Sequence, residues 1–327
     1  MKEYLIINMI LFLIFGILLF YISLPILQKL KYSQNIRSAG PKSHYKKAGT
    51  PTMGGLIILI NMLIYFSFLT VELKKVYHLN FNVLLLMLIP VLLYGMIGLI
   101  DDLLIIIKNN NDGIKPTLKF ILQLIIAAFC YFFYLTIYNS NDINFFGTIV
   151  DIKFFYGILI IFLLVGVTNA TNLTDGIDGL LGCCSIISFV SLGVVGIYKN
   201  ELSVVILSFS FAVAILSFLL FNLPTAKIFM CNVGSLLIGA ALVMECIILK
   251  IEILLIFFGF VYFVETLSVI LQVWYFKKTK GQRLIKMSPL HHHLELSGFK
   301  EIEIDITFAL IQFVMSVMGI WFAVALF

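Results

Sequence analysis

The stretch FFYGILIIFLLVGVTNATNLTDGIDGLLGCCSIISFVSLGVVGIY (154–198) contains two long apolar runs joined by a polar island. The runs fall near 154–170 and 176–196, each close to the roughly 20 apolar residues that cross a bilayer. Between them the chain places Asn172, Asp175 and Asp178, with Gly176 and Gly179 beside the acids. Two carboxylates in so apolar a text set the reading of the whole molecule: a membrane protein with its polar chemistry at the ends of its spans.

Composition extends this outward. Of the 327 residues, 61% are hydrophobic and only 12% charged, with mean hydropathy +1.10; a soluble domain carries about 25% charged residues. Soluble enzymes and nucleic-acid binders are therefore excluded. The first apolar run, 4–27, is long enough to span and has no small-residue cleavage site, so no cleavable signal peptide is expected. The five cysteines, Cys130, Cys183, Cys184, Cys231 and Cys246, lack metal-ligand spacing and are expected to pack in apolar surroundings.

Apolar runs of span length fall near 4–27, 53–72, 82–100, 117–138, 154–170, 176–196, 202–221, 233–249, 252–276 and 304–326. They predict an all-α polytopic membrane protein of about ten transmembrane helices, forming a single domain over 1–327. Ten spans sort the loops onto two faces. Of the 22 Lys and Arg residues, sixteen fall in or beside loops 28–52, 101–116, 171–175, 222–232 and 277–303, and six on the other face. The positive-inside rule makes the first face cytoplasmic and puts both termini outside.

Every unusual polar motif belongs to that first face: KKAGTPTMGG (46–55), DD (101–102), NATNLTDGIDG (169–179), FNLPTAKIFMCNVGS (221–235) and KMSPLHHHLELSG (286–298). A transporter would place its ionisable groups near the midplane on paired broken helices, although Glu265 does fall inside the ninth span. Motifs gathered at one boundary suit a site reached by a water-soluble substrate from one side and by a lipid from the bilayer.

Each motif has a plain reading and a chemical one. Asp101 and Asp102, expected to close the third span, are either a solvated helix end or a pair that a divalent cation relieves of mutual repulsion and of an unfavourable macrodipole. Asp175 and Asp178, three apart, would share one face of a helix starting near Thr174, as caps or as ligands; the twelve-residue pattern of a calcium loop is missing. His291, His292 and His293 are a surface cluster, phosphate donors or proton carriers, because three successive imidazoles do not share one metal from a helix. KKAGTPTMGG lacks the G-K-[ST] of a P-loop, yet Lys47, Thr50, Thr52 and its glycine amides suit either an anion or an anionic leaflet. Together the motifs describe a Mg²⁺-dependent transferase acting on a phosphate-bearing lipid, since phosphoryl transfer is mostly positioning and charge neutralisation.

At these residues the chain resembles the phospho-N-acetylmuramoyl-pentapeptide transferases, the MraY type of polyprenyl-phosphate N-acetylhexosamine-1-phosphate transferases. The resemblance rests on GPKSHYKKAGTPTMGG (40–55), GLIDD (98–102), NATNLTDGIDGL (169–180), much of 221–235 and VETLSVILQVWYFKKTKGQRLIKMSPLHHHLELSG (264–298). PLHHHLE favours the muramoyl-pentapeptide branch over relatives that transfer GlcNAc-1-phosphate.

The resemblance implies a cleft at the cytoplasmic face of a bacterial inner (cytoplasmic) membrane. Phospho-MurNAc-pentapeptide would pass there from UDP-MurNAc-pentapeptide to undecaprenyl phosphate, giving lipid I and UMP. It implies Mg²⁺, catalytic Asp101, Asp102 and His291, and substrate contacts from Lys47, Thr52, Lys119, Asn172, Asp175, Asp178, His292 and His293. The metal set it implies is Asp102, Asp175 and Asn232. Nucleic acid is not a partner, and a homodimer stays open.

Two positions depart from the family pattern. Cys231-Asn232 stands where the family writes Gly-Asp before x-Gly-Ser, and Ile105 stands where a cleft Lys is usual. The alternatives carried forward are a transferase for another UDP-sugar such as UDP-GlcNAc, and a paralogue that binds nucleotide-sugar or lipid phosphate without turnover.

Overall fold

The computed structural model describes residues 2–29, 47, 49–75, 77–108 and 113–326. Lys46, and with it part of the first polar motif, lies outside the described residues. The helices are α1 (Lys2–Lys29), α2 (Gly54–Lys74), α3 (Phe81–Lys108), α4 (Pro116–Tyr138), α5 (Phe154–Thr174), α6 (Leu180–Tyr198), α7 (Leu202–Asn222) and α8 (Cys231–Ile248). They continue as α9 (Leu255–Phe258), α10 (Phe260–Lys278), α11 (Leu290–Glu295) and α12 (Glu301–Leu326). Among the described residues, nine helices are long and apolar enough to cross a membrane, or ten if the bent α9–α10 region counts as one span. The protein is a polytopic membrane protein, as composition required.

α8 is the hub. Nearly all of its side chains are buried, and it packs on α3, α5 and α2. Two glycines let its first turn approach its neighbours. A Cβ on Gly55 of α2 would lie 2.1 Å from the Gly234 amide nitrogen, and one on Gly98 of α3 would lie 2.4 Å from the Asn232 carbonyl oxygen. These contacts bring Asn232 beside the paired acids of α3. Leu236, Leu237, Ile238, Val243 and Met244 fill the interior around it. On α1 and α12, by contrast, Ile7, Leu11, Ile14, Phe313, Val314 and Trp321 point outward, apolar faces of the kind that lipid covers.

Four expectations change. α3 does not end at the acid pair but runs on to Lys108, because LLIII after Asp102 continues the helix as readily as it would a span. Asp101 and Asp102 are therefore buried inside a helix. No helix starts near Thr174: α5 ends there, and α6 begins only at Leu180. Asp175 to Gly179 form the turn between them, with Gly179 at φ 86°, a left-handed backbone that glycine adopts without penalty.

The ninth span is broken. A 3-10 turn (Glu252–Leu254) and α9 meet α10 at 86° across Gly259. Finally, the 139–153 loop carries a two-stranded antiparallel hairpin, β1 (Asp142–Phe145) with β2 (Thr148–Asp151), in which Phe145 pairs with Thr148. Phe146 and Gly147 both have positive φ in the tight turn.

All five cysteines are free, and four are buried with Cys183 half-buried; Cys231 differs from the expectation of apolar surroundings, because it lies beside Asp102 and Asp175.

Candidate functional site

The polar motifs meet where the ends of α2, α5, α6, α7, α8, α11 and α12 come together with the later part of α3 and the start of α4. Backbone bonds join the first motif to the fourth: Phe229 N–H donates to Pro51 O at 2.9 Å, Gly54 N–H to Phe229 O at 2.9 Å and Gly55 N–H to Met230 O at 3.0 Å. Thr52 is buried beside this junction.

The centre of the site is Asn232. Its Nδ2 donates to Asp102 Oδ1 at 2.7 Å. Its Oδ1 accepts from Lys119 Nζ at 2.9 Å and from Asn172 Nδ2 at 2.9 Å. Turning the amide over would set oxygen against carboxylate and N–H against two donors, so the network fixes its orientation. Asp102 also accepts the backbone N–H of Asn232 (3.2 Å) and of Val233 (3.1 Å). Asn172 donates again to Ser235 Oγ at 2.8 Å. Cys231, at φ 62°, holds a left-handed backbone that costs a side-chain-bearing residue about 1–2 kcal/mol; this is where the family writes Gly.

Asp101 points the other way from the same turn of α3. Its Oδ2 meets Lys119 Nζ at 2.9 Å, and its Oδ1 accepts the Ile114 N–H at 2.6 Å. Lys119 thus bridges Asp101 and Asn232. Ile105, one turn further along α3, is buried.

A second group surrounds the turn after α5. Lys47 Nζ lies 2.8 Å from Asp178 Oδ1 and 2.6 Å from Glu301 Oε2. Asp178 Oδ2 accepts the Ala226 N–H at 2.9 Å. Asp175 stands between the two groups. Its carboxyl is pushed up to about 7, first by desolvation and then by the Asp102 and Asp178 charges, against a hydrogen bond from the Cys231 backbone.

The histidine run forms the short helix α11. His291 is fully enclosed: Glu265 accepts its backbone N–H at 3.1 Å and meets its Nδ1 at 3.1 Å. The structure therefore puts His291 behind the 175–179 turn rather than on a surface where a phosphate could touch it. His292 pairs with Glu295 at 2.7 Å, and His293 Nδ1 accepts the Lys286 N–H at 3.2 Å; both rings are partly exposed.

The charges decide where a divalent ion fits. Among the described residues Asp101 has Lys119 and Asp178 has Lys47, but neither Asp102 nor Asp175 has a cationic partner. The Asp102 charge raises the cost of ionising Asp175, and Mg²⁺ is commonly held by one or two carboxylates with phosphate oxygens completing the shell. No group of three or more His, Cys, Asp and Glu side chains among the described residues makes a ready-built metal cluster. The Asn232 oxygen, expected as a third ligand, is turned toward Lys119 and Asn172. The two carboxylates fit the ion, and the amide in this arrangement does not add to them.

Sequence reading missed Glu301 and Asp305. Both acids open α12, an apolar helix whose first turns are otherwise unremarkable, and their neighbours on the 175–179 turn are more than a hundred residues away in sequence. Three acids in EIEID (301–305), opening an otherwise apolar run, were the available signal for both.

The comparisons with known proteins place this membrane-embedded chain among the glycosyl transferases. The sequence profile of glycosyl transferase family 4 matches residues 83–250, covering the acid pair, Lys119, the 169–179 segment and Asn232. A signature of phospho-N-acetylmuramoyl-pentapeptide-transferase matches residues 47–59. The chain is 40% identical over 311 residues to the phospho-N-acetylmuramoyl-pentapeptide-transferase of Bacillus velezensis, covering 94% of each chain. It is 40% identical over 329 residues to that of Halalkalibacterium halodurans, covering 99% of each, and 39% identical over 311 residues to that of Bacillus subtilis. The chain belongs to the phospho-N-acetylmuramoyl-pentapeptide-transferase family, enzymes that transfer a glycosyl-1-phosphate, and is a multi-pass bacterial membrane protein.

Proposed function

We propose that the protein moves phospho-MurNAc-pentapeptide from UDP-MurNAc-pentapeptide to undecaprenyl phosphate, releasing UMP and forming lipid I for peptidoglycan synthesis. The observation that carries this is the convergence of five separate polar motifs on four carboxylates, two neutralised by lysines and two without a cationic partner among the described residues. A lysine-held acid stays where it is, whereas an uncompensated pair calls for positive charge brought with the substrates. The chain acts as one domain with both termini outside and this cleft at the cytoplasmic face, following its Lys and Arg distribution.

In the reaction an oxygen of the lipid phosphate attacks the sugar-linked phosphorus of the diphosphate, and the bond to the UMP oxygen breaks. Mg²⁺, when bound at Asp102 and Asp175, supplies charge neutralisation at the diphosphate. Before the ion is bound, Asp102, which has no lysine partner among the described residues, is the carboxylate able to take a proton from the lipid phosphate. Asp101 anchors Lys119, whose ammonium faces the developing phosphate charge. Asn172 and Asn232 hold Lys119 and Asp102 in register. Lys47, Thr52 and Asp178 line the nucleotide side, and the exposed edges of His292 and His293 meet phosphate or sugar.

A donor panel tests the substrate. UMP release with UDP-MurNAc-pentapeptide at a rate well above that with UDP-GlcNAc is expected; preference for UDP-GlcNAc would overturn the assignment. One observation favours a second reading, binding without turnover: Asn232 is neutral and its amide oxygen is already taken up by Lys119 and Asn172. Nucleotide-sugar binding without UMP release distinguishes that reading.

A further inference from the structure

Glu265 of α10 is fully buried, and both of its carboxyl oxygens are committed to His291. Oε1 accepts the backbone N–H, and Oε2 lies 3.1 Å from Nδ1. The other ring nitrogen, Nε2, is enclosed without a hydrogen-bond partner among the described residues. It is pressed against the 175–179 turn: a Cβ on Gly176 would lie 2.2 Å from it.

These contacts select one protonation pattern. An ionised Glu265 only accepts, so the hydrogen sits on Nδ1 and the lone pair on Nε2. The reverse pattern needs a protonated Glu265 and would enclose an Nε2–H with no acceptor among the described residues, where an orphaned donor is tolerated less than a bare lone pair. An imidazolium would carry the same orphan donor.

We propose that Glu265 is a positioning residue. It locks His291 as the Nδ1–H tautomer, and the locked ring in turn fixes the backbone of Gly176 and the place of the adjacent Asp175. His291 then serves as a neutral brace behind the turn, and its effect on the reaction passes through Asp175. The part concerning Asp175 rests on the magnesium role given to that residue above; the tautomer does not.

Nitrogen-15 NMR of histidine-labelled protein in bilayers tests the first part. One imidazole, identified by its loss in His291→Gln, is expected to show a protonated Nδ1 and a bare Nε2. Glu265→Gln keeps an acceptor for the backbone N–H but turns an amide N–H toward Nδ1, so the ring proton should move to Nε2. In that variant the Mg²⁺ concentration giving half the maximal rise in melting temperature should increase about tenfold or more, the usual effect of removing a supporting partner. Glu265→Asp, which keeps the carboxylate, should restore both the tautomer and much of the Mg²⁺ response.

A wild-type His291 protonated on Nε2 would overturn the proposal. So would a Glu265→Gln protein with the inverted tautomer and an unchanged Mg²⁺ response. If wild-type protein releases no UMP, the functional reading fails, while the tautomer and the melting response still decide the role of Glu265.

Discussion

Asn232 donates its amide N–H to Asp102 at 2.7 Å while its amide oxygen accepts from Lys119 at 2.9 Å. One neutral side chain therefore separates a buried carboxylate from the ammonium nearest to it. Replacing it with Asp sets a like charge against Asp102. Without metal, Asn232→Asp should melt below wild type; with Mg²⁺ its melting temperature should rise more than that of wild type. Asn232→Ala removes one hydrogen bond each from Asp102 and Lys119, which keep the 232–233 backbone amides and Asp101, and should cost about 1–3 kcal/mol in stability and about tenfold or more in turnover. Differential scanning fluorimetry with and without Mg²⁺ reads the first effect, and initial rates read the second.

The Asp175 carboxyl, pushed up to about 7, ties metal binding to pH. Mg²⁺ needs the ionised form, so its affinity should fall as pH drops below 7, approaching about tenfold per pH unit for a single competing proton. The stability of the metal-free protein should run the other way. The folded value lies above the roughly 3.9 of an unfolded Asp, so the contribution of this group is full below pH 4 and is lost as pH rises through 7. Calorimetric Mg²⁺ titration at pH 6, 7 and 8 checks the affinity, and a flat profile would count against Asp175 as a ligand.

Gly176 and His291 should behave as one unit. A Cβ at Gly176 collides with Nε2, so Gly176→Ala alone should lower the melting temperature and nearly abolish UMP release. Adding His291→Ala removes the ring that the new methyl strikes. The double variant should melt above Gly176→Ala, and strictly additive losses in a double-mutant cycle would show that the two do not press on one another.

Asp305 presents the opposite case. It is buried at the start of α12 beside Gly179, and neither carboxyl oxygen has a hydrogen-bond partner among the described residues. Burying a carboxyl group without a partner is costly, charged or not, so Asp305→Leu, which removes both oxygens, should raise stability by about 1 kcal/mol or more. A lower midpoint in chemical or thermal unfolding would reveal a partner for this acid, with Lys47 the nearest cation acting on it.

These particulars show what could be read in the sequence. The spans were legible because a bilayer imposes a length, and apolar runs of that length declare themselves. Their ends were less so: LLIII after Asp102 prolongs α3 to Lys108, and only the turn geometry at Gly176 and Gly179 shows that Asp175 and Asp178 precede α6 instead of opening it. The break at Gly259 is silent because the sequence is apolar on both sides. In the site, residue types and their gathering on one face were readable, but pairings were not. Lys47 with Glu301, Lys119 with Asn232 and Glu265 with His291 are matters of packing between distant segments, and no local pattern encodes them.

The central claim is that this cleft catalyses transfer with Asn232 in place. The direct measurement is UMP release by the purified wild-type protein from UDP-MurNAc-pentapeptide, with undecaprenyl phosphate and Mg²⁺ each present or omitted. The account predicts UMP only when donor, lipid acceptor and Mg²⁺ are all present, with lipid-linked product in equal amount. Donor binding without UMP in the complete mixture, together with UMP release by the Asn232→Asp, Ile105→Lys double variant under the same conditions, would contradict it.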